Sequence, residues 1–162
     1  ETALLCGLLS PSVTRVCLVG SDDVDLRYEL LSRETARAAL STYDLSQPFE
    51  NTVALETVSL GAAVALLNDL NWYLVRFADT ALVQEPSISD AEWLSRDLAT
   101  AVRDRERPPE ETDQRLCVFG VDNDQLVEPM YVTRVDGEIP DYDLRDVNET
   151  VVVRVSEAEF SS

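Results

Sequence analysis

The chain is 162 residues long, 45% of them apolar, and 13 basic side chains stand against 31 aspartates and glutamates, a net charge of −18. All 13 basic residues are arginine, and the chain contains neither lysine nor histidine. These absences exclude Ser-His-Asp and Cys-His nucleophile pairs, the usual histidine zinc sites, Walker A phosphate loops and Schiff-base lysines.

The first twelve residues form a short apolar stretch around Cys6 that no positive charge precedes. Such a stretch is a poor secretory signal peptide. Val13 stands directly before the first strand-like run and is interpreted as a valine-coded start, with secretion as the alternative. We therefore expect residues 1–12 to be an N-terminal extension outside the native fold and residues 13–160 to form one globular domain.

Hydrophobic periodicity divides the rest of the chain into strands and helices. Residues 25–31 fit either type. The other predicted elements, in chain order, are a strand at 14–20, a helix at 33–43, a strand at 53–58, a helix at 60–70, a hairpin over 72–77 and 81–84, a helix at 89–105, and strands at 115–121, 126–135 and 150–155.

The three predicted helices differ in their sequence signals. Ser32 is expected to cap the helix at 33–43, and Ser89 the amphipathic helix at 89–105. The helix at 60–70 is apolar nearly all the way round, which predicts burial against a sheet.

This order of elements predicts an α+β (mixed α/β) fold with a mixed sheet of about six or seven strands and three helices packed on it. The last third of the chain has no crossover helices, which disfavours a purely parallel, doubly wound sheet. Cys17 and Cys117 lie inside apolar strands and are expected to be buried. An odd count of three cysteines does not make a disulfide framework.

Two predicted strands share the pattern Arg-x-Cys-x-x-Gly-x-Asp, at residues 15–22 and 115–122. If these strands lie parallel and close together, their acidic ends meet at one edge of the sheet, where open α/β sheets bind ligands. Clustered carboxylates suit Mg²⁺ or Mn²⁺. The alternative is ordinary turn chemistry, because many strands end in Gly-Asp turns. The candidate metal ligands are Asp22, Asp23, Asp122 and Asp124.

The acidic charge predicts a cytoplasmic protein adapted to molar salt. At that ionic strength the Debye length falls to about 3 Å, so self-repulsion of the folded chain is screened. The alternative, a disordered acidic chain, conflicts with the apolar content. No segment approaches the roughly 18 apolar residues of a membrane helix. The chain also lacks a basic stripe, which disfavours nucleic-acid binding.

The runs TRVCLVGSDDVD at residues 14–25 and NDLNWYLVRF at residues 68–77 resemble an uncharacterised protein family of haloarchaea. The resemblance extends over roughly residues 13–160. It implies a salt-adapted cytoplasmic protein. Because the family carries no assigned activity, the resemblance transfers no catalytic residue.

The sequence favours a non-catalytic domain that binds a partner protein or a small ligand, with no catalytic residue and no cofactor. One alternative is a small metal-assisted enzyme that uses carboxylate-bound Mg²⁺ or Mn²⁺ on a phosphate-bearing substrate. Another is a nucleic-acid-associated regulator, which would need several arginines that converge without acidic neighbours.

Overall fold

The computed structural model describes residues 13–89, 91–122, 125–135, 149–156 and 159. Within these residues the chain forms seven strands, five α-helices and one short 3-10 helix. In chain order they are β1 (Thr14–Gly20), α1 (Leu26–Leu31), α2 (Glu34–Leu40), β2 (Thr52–Thr57), α3 (Leu60–Asp69), α4 (Asn71–Phe77), β3 (Ala78–Gln84), β4 (Trp93–Ser95), α5 (Arg96–Arg103), the 3-10 helix Pro109–Glu111, β5 (Arg115–Asp122), β6 (Gln125–Thr133) and β7 (Glu149–Arg154).

All seven strands belong to one sheet, in the order β2-β1-β3-β4-β7-β5-β6. The pair β4–β7 is parallel, and the other five pairs of these described strands are antiparallel. The predicted α+β class and mixed sheet are therefore confirmed. The predicted number of three helices is wrong, since the described residues form five.

The helices pack on one face of the sheet. Val16 and Leu18 alternate along β1 with residues that point the other way, and both are fully buried. They join apolar residues from β2, β3, β4 and all five helices in a single core. Burial of a leucine or valine side chain contributes about 1.5–3 kcal/mol, so this core is the main source of stability.

The opposite face of the sheet has its own apolar cluster, to which none of the described helices contributes. Cys17 on β1 lies beside Leu82 on β3, and Cys117 on β5 lies beside Val153 on β7. All four side chains are buried. The expectation that Cys17 and Cys117 are buried strand residues is confirmed, and both thiols are free.

Residues 72–77 were predicted as the first strand of a hairpin, and this prediction is wrong because they form α4. Leu70 is both the C-cap of α3 and the N-cap of α4, so one helix follows the other directly. The Leu70 carbonyl accepts hydrogen bonds from the N–H groups of Tyr73 (2.9 Å) and Leu74 (3.0 Å). Leu74 is buried in the helix-covered core, and this packing overrides the strand preference of the aromatic and β-branched residues around it.

Residues 89–105 were predicted as one helix, but they begin as β4. Ser89 does accept a hydrogen bond from the N–H of Glu92 (2.9 Å), yet the chain then pairs with β3 and β7. The true N-cap is Ser95, whose Oγ accepts the N–H of Leu98 at 3.2 Å. Both serines accept a hydrogen bond from the N–H three residues later. Only Ser95 is a helix cap, because a helix follows it, whereas a strand follows Ser89.

The caps of the first two helices resolve one prediction and correct another. Asp25 caps α1 by accepting the N–H of Tyr28 at 3.1 Å, which settles residues 25–31 as helix. Ser32 does not cap α2, whose N-cap position is held by Arg33 without a side-chain hydrogen bond.

The predicted extension at residues 1–12 lies outside the described residues. Across the described part of the chain, no helix has the length and apolar character needed to cross a membrane.

Candidate functional site

The two strands that precede the aspartates predicted to hold a metal do not end at the same place in the sheet. β1 and β5 run in opposite directions with three strands between them. Neighbouring strands are spaced by about 4.8 Å, so roughly 19 Å of sheet separates them, and their carboxyl ends lie at opposite edges. Asp22 and Asp23 follow one end, whereas Asp122 closes the other. The condition for a shared metal site, that the two strands lie parallel and close together, is therefore not met.

The remaining parts of the metal prediction have no geometric support. Asp124 lies outside the described residues, so its role stays an untested prediction. In the part of the chain that the structure describes, no three cysteine or acidic side chains are grouped so that they could hold a metal ion.

The first copy of the repeated pattern is explained by packing at its glycine. A Cβ atom on Gly20 would lie 2.7 Å from Nδ2 of Asn51 and 2.8 Å from Cβ of Leu26, closer than side chains tolerate. Asn51 needs this space because its Nδ2 donates to the Ser21 carbonyl (2.9 Å) and its Oδ1 accepts the N–H of Leu26 (3.0 Å). The glycine turn therefore locks β1 to the start of α1, which supports the turn-chemistry interpretation.

The two buried cysteines are poor nucleophiles. Burial raises the pKa of Cys17 to about 12. Burial also raises the pKa of Cys117 to about 11, although a hydrogen bond with Tyr131 works in the opposite direction. Both groups therefore stay protonated thiols near neutral pH, and the thiolate is the reactive form.

A cleft of about 470 Å³ opens on the face of the sheet opposite the helices. One wall is the segment 42–48, which pairs with the outer edge of β2 through two hydrogen bonds between Ser46 and Ala54 (2.9 and 2.8 Å). The other wall carries the half-buried Trp93 of β4. The volume of the cleft is within the range of small-molecule sites. The lining consists of Arg15, Thr42, Tyr43, Asp44, Ser46, Pro48, Ala54, Leu55, Glu56 and Trp93.

The strand register places opposite charges side by side along this cleft. Arg15 on β1 is the direct partner of Glu56 on β2 and of Gln84 on β3. The Arg15 Nε atom lies 3.6 Å from the Glu56 Oε2 atom, and more than half of each side chain is exposed to solvent. The next row inward is apolar, with Ala54 beside Cys17. The cleft thus has a charged mouth above an apolar floor.

Sequence reasoning missed this cleft. The sequence feature that could have indicated the cleft is Arg15, a charged residue within an otherwise apolar strand. Its partner Glu56 comes 41 residues later in the chain. The pairing of these two residues depends on the register between β1 and β2, which periodicity does not give.

Residues 14–121 match a family described as a family of unknown function (DUF5804). The chain belongs to this family. The match runs from the start of β1 to the penultimate residue of β5 and includes every residue that lines the cleft. No curated protein and no solved structure matches the chain. Membership of DUF5804 therefore assigns no activity, and the function has to be argued from the residues themselves.

A largely buried ionic triad joins the matched DUF5804 region to the last two strands. Oε1 of Glu92 accepts hydrogen bonds from Nη2 of Arg134 and from Nε of Arg154, both at 2.7 Å. Arg134 also donates to the carbonyl of Asp113 (2.8 Å), and Arg154 donates to Oγ1 of Thr112 (3.0 Å). Glu92 lies within the DUF5804 match, whereas both arginines follow it in the chain.

The side chains of the triad are largely shielded from solvent, since they are only 11–16% exposed. Burial alone would raise the pKa of Glu92, but the hydrogen bonds and positive charges of Arg134 and Arg154 outweigh burial and lower the pKa. Both guanidiniums use further donors on neighbouring groups, so the triad is a satisfied network. Its role is structural, because it ties the residue before β4 to the ends of β6 and β7.

Proposed function

We propose that this protein is a non-catalytic, ligand-binding domain of a salt-adapted haloarchaeal cytoplasm. Its ligand is a small amphipathic zwitterion, a molecule with a carboxylate next to an ammonium group and an apolar side chain. The observation that carries this proposal is the cleft with adjacent opposite charges at its mouth and Trp93 on its wall.

The charged mouth matches the two ends of such a zwitterion. The guanidinium of Arg15 is a planar donor suited to a carboxylate, and the neighbouring Glu56 carboxylate is suited to an ammonium group. Asp44, which also lines the cleft, offers a second acceptor for the same ammonium group. Because Arg15 and Glu56 are already within 3.6 Å of one another, a ligand with adjacent opposite charges can replace their mutual contact with two direct ones.

The apolar part of the ligand has a surface on which to lie. Trp93, Pro48 and Ala54 line the same cleft as the charged pair. A large aromatic side chain at a partly solvated wall contributes apolar area at little cost in conformational entropy. This combination of an apolar wall and a few convergent polar groups is typical of small-molecule sites.

The salt-adapted setting agrees with this mode of recognition. A chain with 31 acidic and 13 basic residues is poorly suited to low salt, where its charges repel one another. At about 1 M salt the Debye length is near 3 Å, so only charges in direct contact attract strongly. The cleft supplies direct contacts, and the raised pKa values of the two cysteines support a binding role over a nucleophilic one.

Titration of the Trp72→Phe variant with leucine or phenylalanine in about 2–3 M KCl is expected to change the fluorescence of Trp93 in a saturable way. The chain has two tryptophans, so this substitution leaves Trp93 as the sole reporter. Adding Arg15→Ala should weaken binding about tenfold or more, because a charge-assisted hydrogen bond is lost. The measurement is the dissociation constant from the titration curve.

The matched control is Arg37→Ala in the same background, which removes an exposed arginine on α2, away from the cleft. It should leave the dissociation constant unchanged. Amino-acid amides, which lack the carboxylate, and N-acetylated amino acids, which lack the ammonium group, should both bind weakly. Equal binding of the amides, or no saturable response to either amino acid, would contradict the proposed ligand class.

A further inference from the structure

A second exposed surface lies on α4, within the helical layer and on the other side of the sheet from the cleft. Trp72 is 50% exposed and Val75 is 70% exposed, so two apolar side chains one helical turn apart face solvent together. Arg76 stands on the same face, because residues three and four apart are neighbours on a helix. Leu74, on the inner side of α4, is buried. Trp72, Val75, Arg76 and the nearby Arg33 are called the Trp72 surface.

Two guanidiniums are held against the aromatic rings of this surface. The guanidinium carbon of Arg76 lies 3.8 Å from the centre of the Trp72 ring, and Nη1 of Arg76 donates to the carbonyl of Trp72 at 2.8 Å. The guanidinium carbon of Arg33 lies 4.9 Å from the centre of the Phe77 ring and 5.9 Å from that of Trp72. Stacking on a ring fixes a guanidinium and leaves the donors at its edge available.

The Trp72 surface carries two arginines in a strongly acidic chain, and Glu29 neutralises one of them. Arg33 donates from Nη2 to Oε1 of Glu29 at 3.1 Å, but Arg76 forms no ion pair with any residue that the structure describes. A chain of net charge −18 has acidic side chains to spare for pairing its arginines. An arginine that is stacked on an exposed tryptophan and paired with none of the described carboxylates is arranged for a carboxylate from another molecule.

We propose that the Trp72 surface docks an acidic peptide segment of a partner protein. An Asp or Glu carboxylate of the segment binds the edge of the Arg76 guanidinium, and an adjacent apolar side chain packs on Val75 and on the part of Trp72 that the guanidiniums leave exposed. Trp and Arg are the residues most enriched among energetic hot spots of protein interfaces. Direct contact between Arg76 and a carboxylate is also retained in molar salt, where longer-range attraction is screened.

Single-stranded nucleic acid is a less suitable occupant of the same surface. Stacking of a base needs a free aromatic face. At 3.8 Å, the guanidinium of Arg76 covers one face of Trp72, and Arg33 stands near the same ring. Contacts to phosphates also weaken steeply as salt rises.

The test uses a short fluorescently labelled peptide in which aspartates flank a Leu-Phe pair, with fluorescence anisotropy as the readout in about 2 M KCl. The full chain should bind this peptide. Arg76→Gln should weaken binding about tenfold, as expected for loss of one charge-assisted contact. Trp72→Ala should weaken binding at least as much, and Arg37→Gln on α2 serves as the matched arginine control. Circular dichroism of each variant establishes that it is folded.

Each other outcome decides against the proposal. Equal binding of a peptide with asparagine in place of every aspartate would show that no carboxylate is recognised. Preferential binding of a labelled oligouridylate would assign the surface to nucleic acid, and a dimer that Arg76→Gln dissociates would assign it to a second copy of this chain. Because the cleft lies on the opposite side of the sheet, the amino-acid titration of Trp93 is independent of these results.

Discussion

Replacement of Glu92 by glutamine is expected to destabilise the fold by about 3 kcal/mol, the largest effect that we anticipate for an isosteric substitution in this chain. The variant leaves the guanidiniums of Arg134 and Arg154 nearly buried without a countercharge. Equilibrium urea unfolding in about 2–3 M KCl, followed by tryptophan fluorescence, measures the free energy of unfolding.

The matched control for this substitution is Glu56→Gln. Glu56 also pairs with an arginine, but the pair is exposed at the cleft mouth, so its loss should cost less than about 1 kcal/mol. Equal losses in the two variants would show that the triad is not the tie between β4 and the last two strands that its geometry indicates.

The triad also predicts a pH dependence with a definite sign. The pKa of Glu92 in the folded state is lowered from its ordinary value of 4.5. The contribution of ionised Glu92 to the free energy of unfolding is therefore fully present above the pKa of the unfolded state. This contribution is lost as the pH falls through the lower pKa of the folded state. Many other carboxylates titrate in this window, so the difference in unfolding free energy between wild type and Glu92→Gln is the quantity to follow. That difference should shrink as the pH drops below about 4.5.

The strands that follow simple residue patterns were predictable. Thr14–Gly20 and Glu149–Arg154 are runs of β-branched and apolar residues, and their bounds differ from the predicted ones by at most one residue. Leu60–Asp69 was predictable as a buried helix because almost every position is apolar. In these segments local propensity and tertiary burial favour the same structure.

Propensity failed where burial favoured a different structure. The Trp-Tyr-Leu-Val-Arg-Phe run of α4 is rich in strand-forming residues, but a helix lets Leu74 enter the core while Trp72 and Val75 face solvent. Trp93 and Leu94 in turn fit the stripe of an amphipathic helix, yet β4 places them on opposite faces of the sheet. Hydrophobic periodicity alone does not distinguish these cases.

The candidate sites were harder to predict than the elements because their residues meet through long-range pairing. Glu92 is 42 residues from Arg134 and 62 residues from Arg154. The repeated Arg-x-Cys-x-x-Gly-x-Asp pattern was a genuine local similarity, but strand order and direction place its two copies at opposite edges of the sheet. A sequence repeat therefore predicts similar local structure, and only the topology decides whether the copies share a site.

Replacement of Asn51 by alanine is expected to destabilise the fold by about 3 kcal/mol. The side chain donates to the Ser21 carbonyl and accepts the N–H of Leu26, and each lost hydrogen bond costs about 1 kcal/mol. Asn51 also has a φ of 56°, in the left-handed region that asparagine tolerates better than alanine, which adds roughly 1 kcal/mol. Urea unfolding measures the total, and Asn51→Gly separates its parts, since glycine removes the hydrogen bonds and keeps the backbone relaxed.

Coupling between Asn51 and Gly20 tests whether the glycine turn is a packing device. Gly20→Ala should cost about 2 kcal/mol in the wild type, because the added methyl group overlaps Asn51 Nδ2 and Leu26 Cβ. In the Asn51→Gly background one of these two obstacles is gone, so the same substitution should cost less, and the two effects should not add. Additive effects would show that Gly20 is required for a reason other than the close approach of Asn51, and the turn-chemistry interpretation of the repeat would then fail at its first copy.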